Sequence, residues 1–179
     1  MRHLPNILTS IRILMAGVFA YFFMNDNYTA CCASFGISML TDVLDGALAR
    51  ANNWVSDLGK ILDPAADKIT LLVISICFYS AGWIPQYMLI AVIIKEAMMI
   101  AGGLIMLRCN AVAYSDVFGK AATTLFSISI VMALLKELDI APVITTIGGL
   151  STLVFGLSVI FSFVALVHYG RTQFARRKA

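Results

Sequence analysis

Four aspartates in two pairs mark the part of this chain able to do chemistry. Asp42 and Asp45 stand three apart and Asp63 and Asp67 four apart, within TDVLDGALARANNWVSDLGKILDPAADK at Thr41–Lys68. On helices, both spacings bring the side chains onto one face. The polar stretch ANNWVSD between the pairs predicts a turn that folds the second helix back antiparallel to the first, so that two carboxylates from each helix converge. That much negative charge in apolar surroundings needs cations, and bound divalent metal is the simplest supply. Two ions held by shared carboxylates can clamp a pyrophosphate and stabilise in-line displacement at phosphorus. Magnesium or manganese suits a shell of hard oxygens completed by substrate phosphates.

The neighbouring residues fit the same chemistry. Gly46 and Gly59 lack side chains, so a backbone or a nucleotide can pack closely there. Arg50 can make a forked contact to a phosphate. A carboxylate not fully committed to metal can take a proton from an attacking hydroxyl. The competing reading pairs the aspartates with Arg50, Lys60 and Lys68 and needs no metal. Ion pairing alone is a costly use of a site embedded in lipid.

The elements that must position these residues are membrane helices. Of the 179 residues, 60% are hydrophobic and only 13% charged, with a mean hydropathy of +0.89; a soluble domain carries about a quarter charged residues. The chain is therefore expected to be an all-α polytopic membrane protein, a single domain over 1–179. Its net charge of +3 reads as loop asymmetry and does not point to nucleic acid. Cys31, Cys32, Cys77 and Cys109 show no CxxC spacing, and their reading is small apolar residues. No cleavable signal peptide is evident, since the first apolar run contains Arg12.

Six apolar runs follow in order: Ile7–Met24, Tyr28–Arg50, Ile61–Ser80, Ile84–Leu107, Phe118–Leu135 and Val143–Tyr169. Each approaches the roughly 20 residues needed to span a bilayer. Arg12, just inside the first run, reads equally as a side chain snorkelling to the interface or as a contact to an anionic headgroup. An even number of spans puts both termini on one side. That side carries Arg2, Arg50, Lys60, Arg108, Lys120, Arg171, Arg176, Arg177 and Lys178, against Lys136 on the other. The positive-inside rule then makes both termini and the aspartate-rich turn cytoplasmic. A water-soluble nucleotide could reach the carboxylates there while lipid tails stay in the bilayer.

Asp42-x-x-Asp45-Gly46-x-x-Ala49-Arg50, eight residues, then Gly59-x-x-x-Asp63-x-x-x-Asp67 matches the complete signature of the CDP-alcohol phosphatidyltransferases. LPNILTSIRI at the start resembles the opening of the phosphatidylglycerophosphate synthase and cardiolipin synthase branches. The resemblance implies a six-helix enzyme that moves a phosphatidyl group from CDP-diacylglycerol to an alcohol and releases CMP. It implies that Asp42, Asp45, Asp63 and Asp67 hold two metal ions, Mg2+ or Mn2+, with Asp67 also the general base. Asp45, Gly46, Ala49, Arg50 and Gly59 would meet the cytidine diphosphate, joined by Asn6 and Thr9, although Asn6 also suits a helix cap. The small size and the lack of a targeting sequence point to a bacterial plasma membrane, with a mitochondrial relative as the alternative. Family members are often dimers, which makes a homodimer the expectation from the resemblance.

The acceptor is expected to be glycerol 3-phosphate, with phosphatidylglycerol the close alternative. A phosphate dianion needs cations, and Lys95, Arg108 and Lys120 are the candidates. Lys95-Glu96 falls where glycerophosphate-using relatives have Arg-Glu; a plain ion pair is the structural alternative. Gly119-Lys120-Ala121-Ala122-Thr123 resembles their Gly-Lys-x-Lys-Thr, except that Ala122 replaces the second lysine, and Gly103 stands where an arginine is expected. Two readings from other classes are a cation or proton transporter and a catalytically silent scaffold. A transporter predicts acidic residues spread through the membrane depth, whereas the aspartates here gather near one face.

Overall fold

The short polar and Gly/Pro-containing stretches between the apolar runs, such as 25–27 and 82–85, are where the helices break. The computed structural model describes residues 4–52, 59–108, 117–138 and 143–176, with side chains described over 9–43, 66–102, 118–138 and 150–168. Six helices result: α1 Leu4–Met24, α2 Tyr28–Asn52, α3 Gly59–Ser80, α4 Gln86–Arg108, α5 Val117–Glu137 and α6 Val143–Arg176. There is no strand among the described residues. The all-α expectation therefore holds, and each of the six runs becomes one helix.

Local chemistry explains the breaks. Asp26 takes a left-handed φ of 54°, a region asparagine and aspartate enter more readily than most residues. Asn27 then caps α2, its Oδ1 accepting the amide of Ala30 at 3.1 Å, which satisfies one of the orphan donors of the first turn. At the end of α3, Gly82 adopts a φ of 72°, the αL conformation that closes many helices, and its amide donates to Tyr79 O at 3.0 Å. Ile84, expected inside the fourth run, stays in this turn because a following proline disfavours the helical conformation. At the other end α6 runs to Arg176, beyond the expected Tyr169. Basic residues suit a helix C-terminus.

Two compact units are formed, Met1–Gly82 and Trp83–Ala179. In the first, α1 packs on both α2 and α3. Its apolar face (Ala16, Phe19 and Phe23) is buried, as are Cys31 and Phe35 of α2 and Ala66, Ile74, Cys77 and Phe78 of α3. The Phe23 ring lies 6.1 Å from that of Phe78 and 5.9 Å from that of Phe19. In the second unit α5 and α6 form the main pair and α4 packs on α6. Phe126 meets Phe155 at 5.4 Å, and Thr152 of α6 donates to Trp83 O at 3.1 Å, tying α6 to the chain ahead of α4.

Among the described residues, two segments are long and apolar enough to cross a membrane, Phe118–Glu137 and Leu150–His168. The described side chains of α1 begin at Thr9, and within those bounds its apolar stretch Thr9–Met24 is shorter.

Candidate functional site

The site is built where α1, α2 and α3 come together in the first unit. Asp42 projects from α2 and Asp67 from α3, and both reach one guanidinium. Arg12 of α1 donates from Nη2 to Asp42 Oδ1 at 2.7 Å and from Nη1 to Asp67 Oδ1 at 2.7 Å. One carboxylate from each acidic helix, Asp42 of α2 and Asp67 of α3, therefore meets the same guanidinium.

The burial of the three residues is unequal. The Arg12 side chain is 4% exposed, those of Asp42 and Asp67 56% and 62%. The cation is buried, and the two carboxylates that it holds are more than half exposed. Thr9, one turn before Arg12 on α1, is fully buried. Ala66, beside Asp67, is buried as well. One side of this part of α3 thus faces protein while Asp67 faces outward.

Neither expectation for Arg12 describes what it does. It does not snorkel to an interface, nor does it present itself to an outside headgroup, because it is buried and paired with two aspartates. Nor does it belong to the cations that the sequence sets beside the cluster, Arg50, Lys60 and Lys68. A sequence signal exists: a single charge in an otherwise apolar run, in a chain whose acidic pairs need positive charge nearby. The tertiary contact is what the sequence withholds, since 55 residues separate Arg12 from Asp67.

Asp45, Gly46, Ala49 and Arg50 fall on α2, Gly59 and Asp63 on α3, and Asn6 on α1; their side chains lie outside the described residues. The same holds for Arg108, the last residue of α4. No group of three or more metal-ligating side chains occurs among the described residues, where this site contributes the two carboxylates. Those two suit a hard divalent ion by donor type, by convergence from two helices and by exposure. Lys95 and Lys120 lie in the second unit. Lys95 pairs with the adjacent Glu96, and both are buried, at 9% and 3% exposure. Lys120 is exposed on α5, its carbonyl accepting the hydroxyls of Thr123 and Thr124 at 2.9 Å each. Ala122, which replaces the second lysine of the resembling motif, is buried.

Among the described residues the protein is all-helical, with acidic side chains from two helices meeting on one buried arginine. Its family is specific. The model of the CDP-alcohol phosphatidyltransferase family matches residues 2–167, and the chain belongs to that family. It is 28% identical over 130 residues to the CDP-diacylglycerol–glycerol-3-phosphate 3-phosphatidyltransferase of Aquifex aeolicus, covering 72% of this chain and 73% of that one. It is 36% identical over 101 residues to the cardiolipin synthase (CMP-forming) of Rattus norvegicus, covering 55% of this chain but only 33% of the rat protein. A putative cardiolipin synthase of Mycobacterium tuberculosis is 30% identical over 142 residues, covering 75% of this chain and 66% of the other. The family and the names of these relatives agree with the phosphatidyl transfer expected from the signature.

Proposed function

We propose that the chain transfers a phosphatidyl group from CDP-diacylglycerol to glycerol 3-phosphate, releasing CMP and forming phosphatidylglycerophosphate. The observation that carries this reading is the meeting of Asp42 and Asp67 over Arg12 in a chain matched by the family model over 2–167. In the reaction the acceptor hydroxyl oxygen attacks the phosphorus bearing the diacylglycerol. The bond from that phosphorus to the CMP oxygen breaks, CMP leaves, and the hydroxyl proton passes to the Asp67 carboxylate. Its exposure suits that role.

Asp42, Asp45, Asp63 and Asp67 would hold two Mg2+ or Mn2+ ions. When bound, such ions neutralise the diphosphate and stabilise charge at the transferring phosphorus. Asn6, Thr9, Asp45, Gly46, Ala49, Arg50 and Gly59 would receive the cytidine diphosphate. The charges that the sequence offers to a phosphate-bearing acceptor are Lys95, Arg108 and Lys120.

The setting proposed is a single six-helix membrane domain with both termini and the aspartates on the cytoplasmic side of a bacterial plasma membrane. The two apolar segments in α5 and α6 and the lopsided distribution of Lys and Arg support it. A homodimer is part of the same reading by analogy with the family.

A second acceptor, phosphatidylglycerol, is favoured by the relatives named cardiolipin synthase and by the alanine at position 122. One experiment separates the two. Purified protein is given CDP-diacylglycerol and magnesium, with either glycerol 3-phosphate or phosphatidylglycerol, and CMP release is followed. The proposal expects release that depends on acceptor and is faster with glycerol 3-phosphate. Release with phosphatidylglycerol alone would reassign the acceptor, and none with any alcohol would end the reading.

A further inference from the structure

Arg12 is a permanent cation held where the proposed metal ligands converge. It touches one oxygen of Asp42 and one of Asp67, each at 2.7 Å. It cannot easily withdraw. Its side chain is 4% exposed, and α1 is fixed on α2 and α3 through the buried Ala16, Phe19 and Phe23. The two carboxylates, by contrast, are more than half exposed. A divalent ion approaching them from the open side meets carboxylates whose charge is already shared with a guanidinium beneath. Two cations that neutralise the same anions oppose each other.

We propose that Arg12 is the resident counter-cation of this site and is antagonistic to divalent metal. Without metal it keeps the carboxylates of α2 and α3 from repelling each other. With metal, its charge weakens the ion's hold, leaving the ion exchangeable and more dependent on substrate phosphate to complete its neutralisation. The inference rests on the metal reading under Proposed function, and the test below tells their failures apart.

Full-length protein in detergent is titrated with Mn2+, followed by electron paramagnetic resonance, for the wild type, Arg12→Met and Arg12→Lys. Removing the charge should tighten Mn2+ binding on the order of tenfold, and Arg12→Lys, which keeps the charge but loses the fork, should stay near wild type. The rise in melting temperature from EDTA to saturating Mn2+ should also be larger for Arg12→Met than for wild type. Should Arg12→Met unfold in EDTA, recovery of its helical circular dichroism on adding Mn2+ supports the proposal, and failure to recover at saturating Mn2+ overturns it. Equal or weaker Mn2+ binding by Arg12→Met overturns it too, as does Arg12→Lys behaving like Arg12→Met. A wild type that binds no Mn2+ removes the metal reading itself, and the inference with it.

Discussion

Arg12 Nη1 donates to Asp67 Oδ1 across 2.7 Å, joining residues 55 apart in the chain. The contact changes the part played by α1, which supplies the charge against which the acidic residues of α2 and α3 are oriented. Arginine suits this place because its planar fork offers separate nitrogens to two carboxylates at once; a lysine would present a single point.

Asp67→Asn separates charge from shape. The amide keeps an oxygen able to accept from Arg12, so the fold should survive with a loss of about 1 kcal/mol or less, as for pairs with an exposed partner. Its ability to take a proton is gone. CMP release should fall by about 10²–10⁴-fold, the usual worth of a positioned general base. The checks are CMP release at saturating substrates and thermal melting of the same preparation. Near-normal turnover would remove Asp67 from the proton-transfer step.

The helices were largely legible in the sequence, and the site was half so. Asn27, Gly82 and Pro85 announce their breaks because each acts on the local backbone, within one or two residues. The faces of the Asp42 and Asp67 helices follow from periodicity. The partner of those aspartates does not, because nothing local tells α1 which helices it will lie against. Lys95 and Glu96 pose a related difficulty. Neighbouring positions on a helix point apart by about 100°, yet their long side chains meet. Burial decides that, and burial is a tertiary property.

Two glycines on the same unit should respond to alanine with opposite signs. Gly82 has a φ of 72°, and a methyl group there would meet nothing within 4 Å, so the cost of Gly82→Ala is conformational, about 1–2 kcal/mol. Gly36 lies within α2 and also has open space around it. Gly36→Ala should therefore stabilise by about 0.5–1 kcal/mol through lower backbone freedom in the unfolded chain. Melting of both variants in one detergent checks the pair. Equal signs would contradict the φ argument.

Gly156 tests the packing of α4 on α6. A Cβ there would lie 3.1 Å from Cε of Met88, the free end of a flexible side chain. Gly156→Ala should be tolerated within about 1 kcal/mol, because the methionine tip can turn aside. Gly156→Leu drives a larger group into the same space and should cost about 1–3 kcal/mol by overpacking. Thermal melting reads both. A leucine as well tolerated as alanine would mean that α4 and α6 separate freely at this level.

The buried Lys95–Glu96 pair allows its structural and functional readings to be separated. Lys95→Met removes the cation beside a carboxylate only 3% exposed, and breaking such a pair from one side costs about 3–5 kcal/mol. Lys95→Met combined with Glu96→Gln removes both charges and should recover much of that stability, since replacing a buried pair together is often nearly neutral. If the pair is only structural, the double variant should regain near-normal KM values for glycerol 3-phosphate and phosphatidylglycerol alike. If Lys95 also receives the acceptor phosphate, the double variant should be stable and yet show a KM for glycerol 3-phosphate raised by about tenfold or more, the worth of one charge-assisted contact. CMP-release kinetics against each acceptor, with melting on the same samples, decide between them. A double variant with normal kinetics for glycerol 3-phosphate would leave Arg108 and Lys120 as the cations to examine for that acceptor.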